Sequence, residues 1–226
     1  MATSSPIHLA IIPDGNRRWA RARALQPWKG HETAIENFRS ITECCRNDPR
    51  VSVLTVWCFS TENWKRDQKE IDMLMHYYED YLGKERKGFI EKKTRFIHSG
   101  RYDRLPSTLA QLIQDVEQET KDQTEFTLNL AVDYGGKDGL IRAMKKISDP
   151  KAVTEESFRQ LLDHPELPDI DLIIRTSGEQ RTSNFFLWES AYAEWVFLQK
   201  HFPDLTDKDI EKAVADFASR ARRFGG

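Results

Sequence analysis

Short apolar runs alternate along this chain with longer amphipathic stretches. Ile7–Ile12 is apolar apart from His8 and stops at Pro13-Asp14-Gly15, as a strand entering a turn does. Asn16 to about Ala24 is rich in Ala and Arg and predicts a helix. His31–Arg46 sets Ile35, Phe38, Ile41 and Thr42 on one side and predicts a second. Val51–Phe59 is β-branched and aromatic, which predicts a buried strand. Residues 67–92 repeat Ile71, Leu74, Met75, Tyr78, Leu82 and Phe89 at helical spacing. The pattern continues with a strand at Thr94–His98, a helix at Leu105–Lys121, a strand at Phe126–Val132 and a helix at Lys137–Ile147. A helix at Thr154–Leu162, strands at Ile170–Arg175 and Ala193–Leu198, and a helix over Thr206–Arg222 with Thr206 or Asp207 as its cap complete it. No repeat, low-complexity segment or long linker interrupts the series, so residues 1–226 are expected to form one domain. The alternation predicts an α/β fold, a mostly parallel six-stranded central sheet flanked by helices. Ligands of such folds sit beyond the carboxyl ends of the strands.

Composition removes several function classes. Lys+Arg 34 against Asp+Glu 36 leaves a net charge of −2, so no basic field points to nucleic acid. No apolar run approaches a membrane span, and the N-terminus lacks the basic, then apolar, pattern of a signal peptide. Three cysteines, Cys44, Cys45 and Cys58, make no disulfide framework, and no CxxC suggests zinc. A reduced cytoplasmic setting is the expectation.

Three polar clusters follow predicted strands. Asp14-Gly15-Asn16-Arg17-Arg18-Trp19 joins a close-approach glycine, a helix start and two phosphate-matching arginines. A carboxylate beside a bound phosphate is repulsive unless a cation lies between them, which suggests Mg2+. The same residues also read as a plain turn, with Asp14 capping a helix and the arginines solvated. Ser60-Thr61-Glu62-Asn63-Trp64-Lys65-Arg66 offers hydroxyls, an amide, a carboxylate, an aromatic and two cations, and reads alternatively as a capped loop. The third cluster runs from Arg175 to Asn184, where Arg175 and Arg181 flank Gly178 and can converge on one diphosphate, with Thr182 and Ser183 beside them. Glu194 is either a second metal carboxylate or a salt-bridged edge acid. With no GxxxxGK[ST], GxGxxG or DDxxD present, diphosphate chemistry would have to use these dispersed groups.

In this order the segments HLAIIPDGNRRWA, GH at Gly30-His31, FSTENWKR, DYGGK, RTSGEQRTSNFFLWESAYAEWVF and RRFGG resemble the cis-prenyltransferases, the family of undecaprenyl diphosphate synthase. The resemblance covers nearly the whole chain. It implies a homodimer with a hydrophobic tunnel beside the sheet, condensing isopentenyl diphosphate with an allylic diphosphate, with Mg2+, to form Z double bonds. It implies that Asp14 positions Mg2+ and the allylic diphosphate, which Gly15, Asn16, Arg17, Arg18 and His31 hold, with Trp19 packed on substrate. Ser60, Thr61, Glu62, Asn63, Trp64 and Arg66 match the loop spanning both substrates, and Asn63 the position tied to proton removal. Arg175, Arg181, Thr182 and Ser183 match the isopentenyl diphosphate site, Glu194 the second Mg2+ carboxylate, and Arg223 and Gly225 the RxG that reaches the neighbouring subunit. Pro27, Ala34 and Pro13 depart from the family pattern, all near the allylic site. Some relatives perform irregular, non-head-to-tail condensations; non-catalytic partner subunits of a prenyltransferase are a further alternative, but they tend to lose the Asp-Gly-Asn and STENW segments that are intact here.

The tunnel is expected between the 67–92 helix and the strands around Val53–Cys58 and Leu128–Ala131. The small Cys58 favours a passage left open at its level. Peripheral contact with a membrane through a lipid product is compatible with this reading, although no basic amphipathic anchor is evident.

Overall fold

A computed structural model describes residues 5–220. Its strands are β1 (Ile7–Ile12), β2 (Val51–Ser60), β3 (Thr94–Ser99), β4 (Phe126–Tyr134), β5 (Leu172–Arg175) and β6 (Glu194–Phe197). Its helices are α1 (Asn16–Ala22), α2 (Pro27–Asn47), α3 (Gln68–Glu91), α4 (Ser107–Thr120), α5 (Gly136–Met144), α6 (Glu155–Arg159) and α7 (Asp207–Ala218). The strands form one sheet in the order β3-β4-β2-β1-β5-β6, and every pairing is parallel. From β1 the chain builds outward first through β2 and then, on the other side, through β5. The strand order therefore reverses between β1 and β5, the kind of position where such sheets open a crevice.

Alternate residues of each strand serve opposite faces. Leu9, Ile11, Leu54, Val56, Leu128, Leu130 and Ile174 join the larger core, with side chains from α2, α3, α4 and α7. Ala10, Ile12, Ala131 and Ile173 face a smaller core with Phe185 and Phe186. That second face also carries a polar row across four strands. Ser99 Oγ donates to Asn129 Oδ1 at 3.0 Å, and Asn129 Nδ2 donates to Thr55 Oγ1 at 3.1 Å. The His8 ring spans Thr55 Oγ1 at 2.7 Å and the Pro168 carbonyl at 2.9 Å, so each buried polar group in the row has a partner.

Several boundaries moved from their sequence expectation for local reasons. α2 starts at Pro27 and not at His31, because proline at the first helical position has a suitable φ and needs no N–H partner. The 61–65 segment is a 3-10 turn in place of a loop, closed by a reciprocal box between Ser60 and Asn63. α6 ends at Arg159, short of Leu162. Thr206 does cap α7, in a box with Asp209. In β2 the register with β4 shifts between Trp57 and Ser60, so Cys58 and Phe59 both pack toward the larger core. Such bulges commonly re-aim side chains beside functional sites.

Candidate active site

β1 and β5 deliver Asp14 and Arg175 to adjacent strand ends. Ile12 and Arg175 are in register, and Arg175 Nη2 donates to Asp14 Oδ2 at 3.0 Å. Arg175 Nη1 donates to Ser183 Oγ at 2.8 Å and to the Arg181 carbonyl. Thr176 Oγ1 accepts from the Asp14 N–H at 2.8 Å, and Phe202 N–H donates to the Asp14 carbonyl at 3.1 Å. The acid is thus tied to the loop that follows β5 as well as to its own turn.

Gly15 makes that turn possible. Its φ is +94°, and a Cβ there would fall 1.9 Å from Ser177 Oγ and 2.4 Å from His201 Nδ1. The Asp14 side chain accepts from Gly15 N–H at 2.8 Å and does not cap α1, which excludes the plain-cap reading. Gly30 lets α2 cross close to α1, since a Cβ there would sit 2.0 Å from the Asn16 carbonyl.

The arginines of the site already have anionic neighbours. Arg18 reaches Asp14 Oδ1 at 3.3 Å and Glu179 Oε1 at 2.6 Å, and Glu179 also pairs with Arg181. Arg181 and Arg18 together hold the Glu179 carboxyl below its ordinary pKa. Glu70 of α3 lies 3.1 Å from Arg66, 3.5 Å from His31 and 3.7 Å from Arg17. His31 foremost, then Arg66 and Arg17, depress its pKa against the opposing effect of burial. Burial also raises the pKa of Glu62, but hydrogen bonds from its own amide, Ser60, Asn184 and Thr61 outweigh it and keep Glu62 ionised.

Two cavities meet at this point. One, of about 420 Å3, runs from Asp14, Asn16, Ser60, Asn63, Arg66 and Arg175 inward to apolar side chains of α2, α3 and β2. The other, of about 310 Å3, is lined by Gly15, Arg17, Arg18 and Arg21. Asp14, Asn16, His31 and Arg66 border both. A polar chamber therefore opens onto a greasy one across a shared rim. Burial pushes the Cys58 thiol up to about 12, as expected for a group in a dry part of the larger cavity.

Not every expected residue reaches these cavities. Trp19 turns away, donating from Nε1 to Asp204 Oδ1 at 2.7 Å with the Arg23 guanidinium 4.3 Å from its ring centre. Its place on the inner face of the short α1 directs it to packing, not to substrate. Trp64 likewise donates to Asp133 Oδ1 at 2.8 Å and packs edge-on against Phe59. Thr61 lies by Gly135, whose added Cβ would meet Thr61 Oγ1 at 2.5 Å. Arg181 and Thr182 sit exposed on the loop rim, while Ser183 lines the larger cavity. Glu194 pairs with Leu172, three residues before the end of β5, and forms an ion pair with Arg220 at 2.6 Å, so this protomer does not bring it to Asp14. Arg223 and Gly225 lie outside the described residues.

Sequence reasoning passed over Glu70, Glu179 and Asp133. Asp133 has no exposed surface and φ +53°, and it accepts from Trp64 and from Arg104 Nε at 2.8 Å. It thereby anchors the 61–65 turn that carries Asn63. Its signal is the DYGGK segment, which enters the resemblance without a role for Asp133.

Among the described residues no three His, Cys, Asp or Glu side chains converge as a metal cluster. Mg2+ needs few protein ligands when phosphates supply the rest. Asn16 Oδ1 is a buried oxygen without a hydrogen-bond partner, on the rim it shares with Asp14. Those hard oxygen donors suit the ion.

A family profile described as "Putative undecaprenyl diphosphate synthase" matches residues 12–225. The chain belongs to this family. It is 42% identical over 228 residues to the isoprenyl transferase of Fusobacterium nucleatum, covering 100% of this chain and 98% of that one. It is 42% identical to the isoprenyl transferase of Aquifex aeolicus, with coverage of 100% and 98%. Among solved structures, the lavandulyl diphosphate synthase of Lavandula x intermedia in complex with dimethylallyl diphosphate superposes with a TM-score of 0.91 at 34% identity, covering 98% and 99% of the two chains. A probable undecaprenyl diphosphate synthase from Campylobacter jejuni gives 0.83 at 32%, covering 99% and 100%. Like the other members of the undecaprenyl diphosphate synthase family, the protein is an isoprenyl transferase. No helix among the described residues is long and apolar enough to cross a membrane.

Proposed function

We propose that the protein condenses isopentenyl diphosphate with an allylic diphosphate to give a Z-prenyl diphosphate, with Mg2+. The carrying observation is the rim of Asp14, Asn16, His31 and Arg66 shared by the polar and apolar cavities. A diphosphate head held there leaves its hydrocarbon tail in the apolar space. The allylic head belongs at Asp14–Arg18 with His31 and Arg66. The donor diphosphate belongs against Arg175, Ser183 and Arg181, across the same mouth.

Ionisation of the allylic carbon builds negative charge on the departing diphosphate, where Arg17 and Arg18 stabilise it. Asp14 and Asn16 would hold Mg2+, which would supply further positive charge to that diphosphate. The isopentenyl double bond attacks the allylic carbon, and the resulting cation loses a proton. Asn63 faces this space, with its Oδ1 accepting from Ser60 N–H at 3.1 Å. An amide is not a base, so Asn63 orients or relays the proton and the departing diphosphate oxygens are the natural acceptor. The aromatic rings lining the cavity are those of Trp57, Tyr78 and their neighbours, in place of Trp19 and Trp64.

A homodimer is part of this reading, with Glu194 as a second Mg2+ carboxylate and Arg223 and Gly225 reaching the diphosphate site of the neighbouring subunit. So is a cytoplasmic enzyme that touches membranes only through its product. The test is labelled isopentenyl diphosphate with Mg2+ and, in turn, dimethylallyl, geranyl or farnesyl diphosphate. Elongation is expected, lost on removal of Mg2+ and in Asp14→Ala. Robust turnover by Asp14→Ala would overturn the placement of the allylic site. The TM-score of 0.91 to a lavandulyl diphosphate synthase favours irregular coupling as a second reading. Product formed from dimethylallyl diphosphate alone distinguishes it.

A further inference from the structure

Asn184 and the two glycines of the DYGGK segment have no part in the chemistry above, yet they meet beside it. Asn184 ends the loop that carries Arg181 and Ser183, and it holds φ +72°, a left-handed conformation that asparagine tolerates better than most residues. Ser183 and Phe186 also have positive φ, +52° and +29°, and such backbone persists only where its surroundings over-determine it. Phe185 and Phe186, buried in the smaller core, pin one end. Asn184 supplies the other ties. Its carbonyl accepts from the Gly136 N–H at 2.7 Å, its Oδ1 accepts from the Lys137 N–H at 2.7 Å, and its Nδ2 donates to Glu62 Oε1 at 3.1 Å. An N–H on one side and a carboxylate on the other fix which end of the amide faces which. The glycines make room for it. A Cβ on Gly135 would fall 2.9 Å from Asn184 Nδ2, and one on Gly136 would fall 3.1 Å from the Asn184 carbonyl oxygen.

We propose that Asn184 is a positioning residue: through the Glu62 carboxylate it holds the turn that carries Asn63 against the loop that carries Ser183. The inference rests on the condensation proposed above and concerns how the two halves of that site keep their spacing. Glu62, Asn63 and Ser183 all line the larger cavity, whereas Asn184 lines neither cavity, so it acts through its neighbours. The Ser60–Asn63 box fixes the internal shape of the turn, and Asp133 ties the turn to β4 through Trp64. Neither sets its distance from the donor loop; the Asn184–Glu62 hydrogen bond does. Hydrogen bonds from its own amide, Ser60 and Thr61 fasten the Glu62 carboxylate to the turn, so a shift of that carboxylate carries the turn with it. The donor double bond and the allylic carbon must approach to roughly 3–3.5 Å, and a misplacement of about 1 Å between the halves costs on the order of 10²-fold in rate.

The experiment compares steady-state kinetics of the wild type, Asn184→Asp, and Asn184→Asp combined with Glu62→Gln. Each is assayed with Mg2+, labelled isopentenyl diphosphate and whichever of dimethylallyl, geranyl or farnesyl diphosphate the wild type elongates best. Asn184→Asp keeps an acceptor for the Lys137 N–H but sets a second carboxylate against Glu62. Its kcat is expected to fall about 10²-fold, while KM for the allylic diphosphate, bound across the mouth at Asp14–Arg18, moves less than about threefold. Adding Glu62→Gln replaces the repelling acid with an amide that donates to the new carboxylate, and kcat is expected to recover at least about tenfold. Loss of packing alone gives a second substitution no reason to raise kcat. Circular dichroism verifies folding. If Asn184→Asp does not fold, Asn184→Gly, which keeps the left-handed backbone and removes the amide, carries the comparison of kcat with KM. Wild-type kcat in the folded variant, a rise in allylic KM in place of the fall in kcat, or no gain from Glu62→Gln overturns the positioning role and leaves the condensation standing. Absence of condensation by the wild type on every allylic acceptor overturns the proposed activity, and the positioning role with it.

Discussion

Replacing Arg175 with methionine tests whether the two halves of the site are held together by one guanidinium. Met keeps an unbranched stem at a position only 3% exposed, and removes the fork. The fork donates to Ser183 Oγ at 2.8 Å, to the Arg181 carbonyl and to Asp14 Oδ2 at 3.0 Å. A bond to a neutral acceptor nets about 1 kcal/mol and one to a charged group about 2. Asp14 is partly open to water and keeps Arg18, so its loss is softened. The expected destabilisation is about 3 kcal/mol in equilibrium urea unfolding, or roughly 6–12 °C in Tm for a chain of this size. On the proposed function the same fork faces the donor diphosphate, and kcat/KM for isopentenyl diphosphate is expected to fall about 10²–10³-fold. Arg175→Lys retains charge but serves one acceptor of the three, so it is expected to recover only part of both losses. Pyrophosphate is expected to raise the wild-type Tm by mass action and the Met variant's far less. A Met variant with the wild-type urea midpoint refutes the cross-tie. One with wild-type KM refutes the placement of the donor.

Other perturbations have equally definite outcomes. Asp133→Asn turns an amide toward Arg104 and costs about 2–4 kcal/mol, and a double-mutant cycle with Arg104→Ala is expected to show coupling; additive effects would contradict the anchoring of the 61–65 turn. Gly15→Ala must place a Cβ 1.9 Å from Ser177 Oγ at φ +94°, so turnover is expected to collapse, and wild-type kinetics would mean the turn is looser than drawn. Burial lowers His8 and His98 to about 4, so both are neutral when folded and take up protons on unfolding below 6.5. Their contribution is present above pH 6.5 and is lost as pH falls toward 4. Exchanging His8 for Gln is expected to flatten that stretch of the stability–pH curve by about 1.4 kcal/mol per pH unit. Burial raises Glu189 to about 7, so the sign reverses: its contribution is present below about 4.5 and is lost as pH rises through 7, and Glu189→Gln is expected to remove that decline.

The sheet was legible because a fully parallel sheet buries both faces of its strands, which then stand out as apolar runs such as Val51–Phe59 and Phe126–Val132. The turn after β1 was legible because Asp14-Gly15-Asn16 is local, and Gly15 does hold the left-handed conformation. What stayed hidden depends on pairs far apart in sequence. Nothing near Glu70 says that Arg17 and His31, from other segments, come to it beside Arg66, or that Glu179 bridges Arg18 and Arg181. The resemblance puts Trp19 and Trp64 at the substrates, but Asp204 and Asp133 claim their indole N–H groups. A buried indole donor seeks an acceptor, and here that requirement sets the ring's direction.

These internal ion pairs alter how binding should be understood. Arg18 meets Glu179 and Asp14, while Arg17 and Arg66 face Glu70, so these guanidinium groups are held in place before substrate arrives. On the proposed function, a diphosphate does not enter a bare positive field; it exchanges with carboxylates that already orient the guanidinium forks. The exchange lowers net affinity, because one anion replaces another. It favours the transition state, because a departing diphosphate carries more charge than the carboxylates it displaces and gains most from donors that need no reorganisation. On this reasoning Glu70 and Glu179 belong to the site as much as the arginines do, keeping them aimed in a chain whose overall charge is only −2.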